Sequence, residues 1–463
     1  METETKNSSR GVKDMTVGSP YRSIISFAMP VFFSQVFQQL YNTADAFIVS
    51  RMLGSDSFAA VSSSGPLIFL PISFFMGIAL GAGVVIGRYF GAGDTDKVSR
   101  AIHTDIAFGL VSGVFLTVVG MILTPYILGW MKTDPDVIGE AISYFRYYFL
   151  GSVALVMYNI CRGIMNALGD SKRPLAYLIF SSLLNIVLDV VLIYFMKNVA
   201  AAAIATVISQ AASVVLCMIH LCKKGNIYTV NLKKLRFHGD MLKEIIRYGL
   251  PSGVQNSVIG FANVIVQTNI NSFMKFATSA YGAYSKIEGF GFLPITSFNM
   301  AITTFISQNL GAGQYERAKK GARFGIIAAV VMAELIGACI YIFAKPFIAF
   351  FDPTPEVVEF GVLQARTVSL FYFLLAYSHS IAAVCRGAGK AFVPMFIMLS
   401  IWCVLRIIYI EIVSNVWHEI HLIYWAYPLT WSISSIIYFF YYHFSDWIHG
   451  FDKEKPKVKK VKA

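Results

Sequence analysis

Tyr89–Ala101 reads YFGAGDTDKVSRA, and Asn309–Gly321 reads NLGAGQYERAKKG. The two Gly-Ala-Gly cores lie 220 residues apart (311 − 91), each at the end of a long apolar run. Glycine after an apolar run, followed by charged residues, marks a helix stop and a new helix start. Two further anchors keep nearly the same offset. Ala28-Met-Pro30 and Gly249-Leu-Pro251 each open an apolar run, with the prolines 221 residues apart (251 − 30). CRGIMNALGDSKRP ends at Pro174 and SIAAVCRGAGKAFVP ends at Pro394, 220 residues on (394 − 174). The chain is therefore an internal duplication.

The duplicated material is membrane material. Of 463 residues, 56% are hydrophobic and only 14% charged, with a mean hydropathy of +0.62. A soluble chain carries roughly 25% charged residues. A helix needs about 20 apolar residues to span hydrocarbon, and twelve segments qualify: 24–50, 57–87, 101–129, 137–166, 174–196, 199–222, 245–271, 278–307, 318–343, 358–387, 392–414 and 420–444. They are continuous, whereas barrel strands alternate over about ten residues. The polar start METETKNSSRGVKDMTVGSP leads straight into a full span and does not read as a cleavable signal. The expected fold is all-α and integral to the membrane. Six spans per copy give both copies the same orientation, a parallel repeat about an axis along the membrane normal.

Lys and Arg orient the chain. With the N-terminus inside, the outer connections hold Arg51, Lys132, Lys197, Lys275 and Lys345. The inner ones hold Arg22, Arg88, Lys97, Arg100, Lys172, Arg173, the block 223–247, Arg317, Lys319, Lys320, Arg323, Arg386, Lys390 and the KEKPKVKKVKA tail. That bias places both termini in the cytoplasm of a plasma-membrane protein. It also accounts for the formal charge of +12 without nucleic acid, because charges spread over alternate loops make no groove. The expected organisation is a cytoplasmic tail (1–20), a six-helix lobe (21–222), a basic linker (223–243), a second lobe (244–446) and a basic tail (447–463). The cysteines at 161, 217, 222, 339, 385 and 403 read as apolar packing residues. His418-Glu-Ile-His421 has the wrong spacing for a zinc protease motif.

Taken together, these residues identify a resemblance. Two six-span halves, Pro30 followed by Tyr41-Asn-x-x-Asp45, Gly-Ala-Gly-Asp after the second span and Gly-Asp-x-x-x-Pro before the fifth resemble the multidrug and toxic compound extrusion (MATE) transporters. The first-span YNTAD and the pair Asn185/Asp189 resemble the prokaryotic DinF-like branch. The resemblance covers nearly the whole chain apart from the tails. It implies export of bulky, often cationic, organic compounds in exchange for inward H⁺ or Na⁺.

An aspartate at mid-bilayer costs about 2.5–3.5 kcal/mol on insertion scales, so Asp45 calls for a task. Residues four apart share a helix face, which sets Tyr41 over Asp45 and Asn185 over Asp189. Thr206 lies on the sixth span. Should these spans meet, their oxygens suit Na⁺, with Asp45, Asn185 and Asp189 as ligands. Two neighbouring carboxylates in low dielectric also resist double ionisation, which suits a proton carrier. The resemblance implies the same five residues, Tyr41, Asp45, Asn185, Asp189 and Thr206, as the cation site of the N-terminal lobe. Capping of a helix break, or pairing with a basic residue such as Arg146, is the rival reading. The repeat does not extend to these carboxylates: Asp45 maps to Val266, Asn185 to Leu405 or Arg406, and Asp189 to Tyr409 or Ile410. The ion chemistry is thus expected in the first half alone. In the second half, Glu288 and Arg406 are expected to pair.

Chamber candidates for substrate are Gln35, Gln38, Met76, Asn159, Gln255, Phe290, Phe292 and Met300, an apolar and aromatic lining with a few polar groups. The run Gly81–Gly87 lacks the strand and the Lys-Ser/Thr of a phosphate loop and reads as close helix packing. No nucleophile–base pair, metal set or cofactor motif suggests an enzyme, and no phosphate loop suggests an ATP-driven pump. The expected function is a cation-coupled antiporter, active as a monomer. The alternative is a flippase for a lipid-linked saccharide or precursor; it calls for a strongly basic chamber, and few basic residues are expected at depth.

Overall fold

The computed structural model describes residues 14–54, 65–130, 135–223, 228–271, 275–417 and 419–451. Lys132, His418, most of the N-terminal tail and the KEKPKVKKVKA tail lie outside the described residues.

Wherever described, the twelve apolar segments are helical. The first half comprises α1 (Pro20–Leu53), α2 (Gly65–Gly91), α3 (Thr95–Trp130), α4 (Pro135–Leu150), α5 (Ser152–Ala167), α6 (Lys172–Met196) and α7 (Ala200–Leu221). The second comprises α8 (Gly239–Asn271), α9 (Lys275–Gly311), α10 (Tyr315–Ile342), α11 (Ala344–Phe351), α12 (Pro355–Ser369), α13 (Tyr372–Gly387), α14 (Phe392–Met398), a π-helical turn (Leu399–Leu405), α15 (Arg406–Val416) and α16 (Ile420–Phe444). Two spans are broken: α4 and α5 meet at 48°, and α12 and α13 at 51°. Eight helical spans are long and apolar enough to cross a bilayer, ten with the bent pairs counted. The remaining two, α8 and α16, contain 33 and 25 residues. Their polar residues Ser252 and Gln255 on α8, and Thr430, Ser434 and Ser435 on α16, are buried within the protein.

The sequence repeat has a physical basis in helix termination. Gly93 and Gly313 both adopt φ 71°, and Gly169 and Gly389 adopt 84° and 75°. Only glycine takes this left-handed region without penalty. At each stop the glycine N–H bonds back three residues and the next N–H back five, as in Asp94 N to Tyr89 O and Gln314 N to Asn309 O. This is the Schellman closure of a helix end, made four times at corresponding places.

Two six-helix lobes, α1–α7 and α8–α16, meet along a seam of α1 and α2 against α8 and α9. Lipid offers helices no hydrophobic drive to associate, so close backbone approach through small residues carries the contact. Gly77 and Gly81 lie against Gly253 and Gly249, and a Cβ at either α2 position would overlap the facing backbone. Gly91 and Gly311 approach Gln308 and Arg88 in the same way. The glycine run of α2 is therefore lobe-to-lobe packing. Polar contacts finish the seal at the end of the bundle that carries the linker. Arg100 makes two bonds of 2.7 Å to Asp240. Glu244 accepts from the Tyr89 hydroxyl at 2.8 Å and lies 3.7 Å from Arg88. Gln308 donates to the Ala167 carbonyl at 2.8 Å. It also accepts from the Met15 N–H at 3.0 Å, so the N-terminal segment is tied into the same seal.

Overpacking of a close-packed site costs about 1–3 kcal/mol. Gly81→Val is expected to lower the thermal unfolding midpoint of the detergent-purified chain and to open the seam. Gly129→Ala, with open space around it, is expected to stay within about 1 kcal/mol of the parent. Equal melting of the two variants would show that the seam does not depend on this contact.

Candidate functional site

The carboxylates singled out in the sequence meet inside the N-terminal lobe, because α1 and α7 both pack along α6. Asp189 and Asn185 are fully buried on α6, with 0% and 1% of their surfaces exposed. Oriented by its neighbours, the Asn185 amide donates to Asp189 Oδ2 at 3.1 Å. Its oxygen accepts from the Thr206 backbone N–H at 3.2 Å, tying α6 to α7. The half-buried Asp45 carboxyl on α1 reaches that of Asp189. Tyr41, one turn before Asp45, faces Gln210 of α7. One oxygen of each acid, Oδ1 of Asp45 and of Asp189, has no donor among the described residues. Neither acid forms an ion pair there, and Arg146, the basic partner considered in the rival reading, is exposed.

Three members of this cluster escaped the sequence reading. Tyr144 and Tyr148, stacked at 6.1 Å on α4, both lie within electrostatic reach of Asp45. Gln210 is the third. The available signal was spacing: Tyr144 and Tyr148 are four apart, as are Thr206 and Gln210. What hid them is the break at Gly151, which aims α4 at α7 independently of α5.

Among the described residues, the second half holds no counterpart acid pair. The π-helical turn precedes Arg406, which is 2% exposed, donates to the Thr430 hydroxyl at 2.8 Å and lies over the Tyr427 ring at 4.7 Å. The expected Arg406–Glu288 pair is not formed: no ion pair joins them among the described residues. The Thr430 hydroxyl and the aromatic faces satisfy the guanidinium instead.

Between the lobes, beside the glycine seam, lies a cavity of about 300 Å³. Met76, Asn159, Gln255, Phe292 and Met300 line it, and Gln35 accepts from its Thr296. Gln38 and Phe290 do not reach it. Phe290, 40% exposed, faces instead an apolar groove shared with Phe32 and Phe350. The lining follows the repeat. Residues 76 and 296, 79 and 299, 80 and 300, 83 and 303, 159 and 379, and 166 and 386 all line the cavity, each pair 220 positions apart (386 − 166). Two lining residues were placed elsewhere or passed over in the sequence. Arg386, read as an inner-loop charge, is 9% exposed and faces the cavity, as does His379. With Arg162, which also lines it, the chamber is more basic than expected.

A cavity between two like-oriented six-helix lobes, with an unpaired acid cluster inside one of them, defines a multi-pass transporter built by duplication. The MatE family model matches residues 30–191 and again 251–410, and the chain belongs to this family. Its relatives include the probable multidrug resistance protein YoeA of Bacillus subtilis, 28% identical over 435 residues, 92% of this chain and 94% of that protein. A FAD transporter of Shewanella oneidensis is 23% identical over 327 residues, 69% of this chain and 72% of that one. The fold matches a solved outward-facing multidrug resistance transporter of the MATE family with a TM-score of 0.87. Identity there is 23%, over 94% of this chain and 97% of the other.

Removing a buried charge that has no basic partner breaks no ion pair. Asp189→Asn is therefore expected to leave thermal stability unchanged or raise it by up to about 1 kcal/mol. A fall of about 3 kcal/mol in the melting of the purified variant, typical of a broken buried pair, would contradict the cluster as described.

Proposed function

We propose that the chain is a cation-coupled antiporter that exports organic compounds across the plasma membrane by alternating access. The observation that carries this reading is the buried, unpaired Asp45–Asp189 contact with Asn185 hydrogen-bonded beside it. Two acids so placed share a proton or hold a cation between them. Oxygens of Tyr41, Thr206 and Gln210 supply further ligands for Na⁺. Tyr144 and Tyr148 close the site towards α4 and exclude water.

Coupling requires that ion and substrate favour opposite states of the same two-state element. The glycine seam and its ion pairs close one end of the bundle, and the cavity lies just beyond. Breaking the seam and rejoining the lobes at the other end exposes the cavity to the opposite side. We take the lobes as residues 21–222 and 244–446, joined by 223–243, with one family match falling in each. Both termini lie in the cytoplasm, and one chain suffices, since its own lobes enclose the cavity. The named relatives include both a drug-resistance protein and a FAD transporter, so family membership alone leaves the charge of the cargo open.

A flippase for a lipid-linked saccharide gains one point from the two arginines in the chamber. The volume of about 300 Å³ counts against it, being at the lower end of sites for small organic ligands.

Asp45→Asn and the parent, reconstituted in vesicles, are compared for export under imposed Na⁺ and H⁺ gradients applied separately, with several fluorescent dyes of either charge. One gradient is expected to drive export by the parent, with the variant at least tenfold slower. Equal export by the variant would overturn the coupling role.

A further inference from the structure

We propose that the cavity between the lobes is a site for an organic anion: an aromatic body carrying a carboxylate, sulfonate or phosphate. This inference rests on the transporter reading and adds the charge of its cargo.

Three observations carry it. First, the charged side chains lining the cavity are Arg162 and Arg386, and no lining residue among those described is acidic. Second, these guanidinium groups are not neutralised elsewhere. Neither forms an ion pair among the described residues. Arg386 is nine-tenths buried, and its Nε has no hydrogen-bond acceptor there. Arg162 donates a long bond, 3.4 Å, to Asn159, itself a lining residue, and lies 5.8 Å from the ring of Tyr158, whose neutral hydroxyl it also approaches. Third, the remaining lining suits the body of such a ligand. Phe292 meets the His379 ring edge to face at 5.2 Å, and His379 meets Trp402 at 5.1 Å. His379 Nε2 also has no hydrogen-bond partner there.

A buried guanidinium without a counter-charge is costly, and proteins retain one where a ligand supplies that charge. Arginine's planar set of donors binds carboxylate and phosphate oxygens in pairs. The repeat shows where the charge was introduced. At the places of Asn159 and Asn166 in the first half, the second half carries His379 and Arg386; at the place of Arg162 it carries Ala382. The scaffold is duplicated and the cationic groups are not, so they are not a by-product of shared helix packing. Unlike Arg406, whose Thr430 and aromatic contacts satisfy it, Arg386 is left facing open space.

The test is equilibrium binding to the purified full chain in neutral detergent, read by fluorescence polarisation, with carboxyfluorescein as the anionic probe and ethidium as the cationic one. The parent is expected to bind carboxyfluorescein at least tenfold more tightly than ethidium. Arg386→Met and Arg162→Met are each expected to weaken the anion by at least about tenfold, the value of a charge-assisted hydrogen bond. Arg386→Lys, which keeps the charge but not the paired donors, should fall between. Elution as a single species and an unchanged melting point qualify each variant; if Arg386→Met fails them, Arg162→Met and Arg386→Lys decide. Tighter binding of ethidium by the parent, no binding of carboxyfluorescein, or anion binding indifferent to both arginines overturns the inference. With no gradient present, the result reads cargo charge alone. Failure here leaves ion coupling through Asp45 and Asp189 standing, and the vesicle assay addresses that separately.

Discussion

The seam between α2 and α8 is the contact on which the rest of the structure depends. Hydrocarbon is as apolar as leucine, so two lobes in a bilayer gain little by burying leucine against leucine. They associate where backbones come close, and Gly77, Gly81, Gly249 and Gly253 are the positions that permit it. On the adjoining faces of the same two helices, Met76, Ala79, Leu80 and Gly83 of α2 and Ser252, Gln255 and Asn256 of α8 border the cavity. Chamber and seal thus lie side by side on adjoining faces of the same pair of helices. The seal combines backbone contact and partly exposed ion pairs, such as Arg100–Asp240 with 34% and 49% of the side chains exposed, with buried apolar side chains of both lobes such as Ile78, Val85, Ile245 and Ile302.

Duplication supplied a symmetrical frame, and substitution filled it asymmetrically. At an offset of 221, the place of Asn185 in the first lobe is taken by Arg406 in the second. One lobe interior therefore carries acids without basic partners, and the other a guanidinium held by a hydroxyl and aromatic faces. The lobes differ in buried charge while sharing their helix stops and a bent span at 48° and 51°.

The fold was legible in the sequence because hydrophobic length and glycine stops are local properties. The segment 174–196 became Lys172–Met196, and 420–444 became Ile420–Phe444. Asp45, Asn185 and Asp189 stood out because ionisable or amide groups in apolar runs are rare. Residues whose meaning depends on another helix were harder to read. Tyr144 and Tyr148 look like ordinary aromatics until the break after Leu150 turns them towards α7. Arg386 sits three residues before a helix-stopping glycine, which on paper makes it a loop charge. Packing of α13 beside α9 and α14 carries that helix end inward and buries the side chain. Gln38 and Phe290 missed the chamber for the converse reason: residue type suggested it, but their helix faces point elsewhere.

The broken span α4–α5 belongs to both sites at once. Tyr144 and Tyr148 precede the break and stand over the acids; Asn159, Arg162 and Asn166 follow it and line the cavity. The break is at Gly151, where a Cβ would collide with Val207 of α7, the neighbour of Thr206. Sharp kinks have identifiable causes, and here the cause is a glycine that lets α7 press against the bend. On the proposed coupling, a rearrangement of α7 on loading or unloading the acid cluster acts on the bend directly, and through it on the lining of the cavity. No other element among those described carries side chains of both sites on either side of a single hinge. On the proposed exchange, an ion and a cargo that share no contact oppose one another through this span, which meets the physical requirement of coupling.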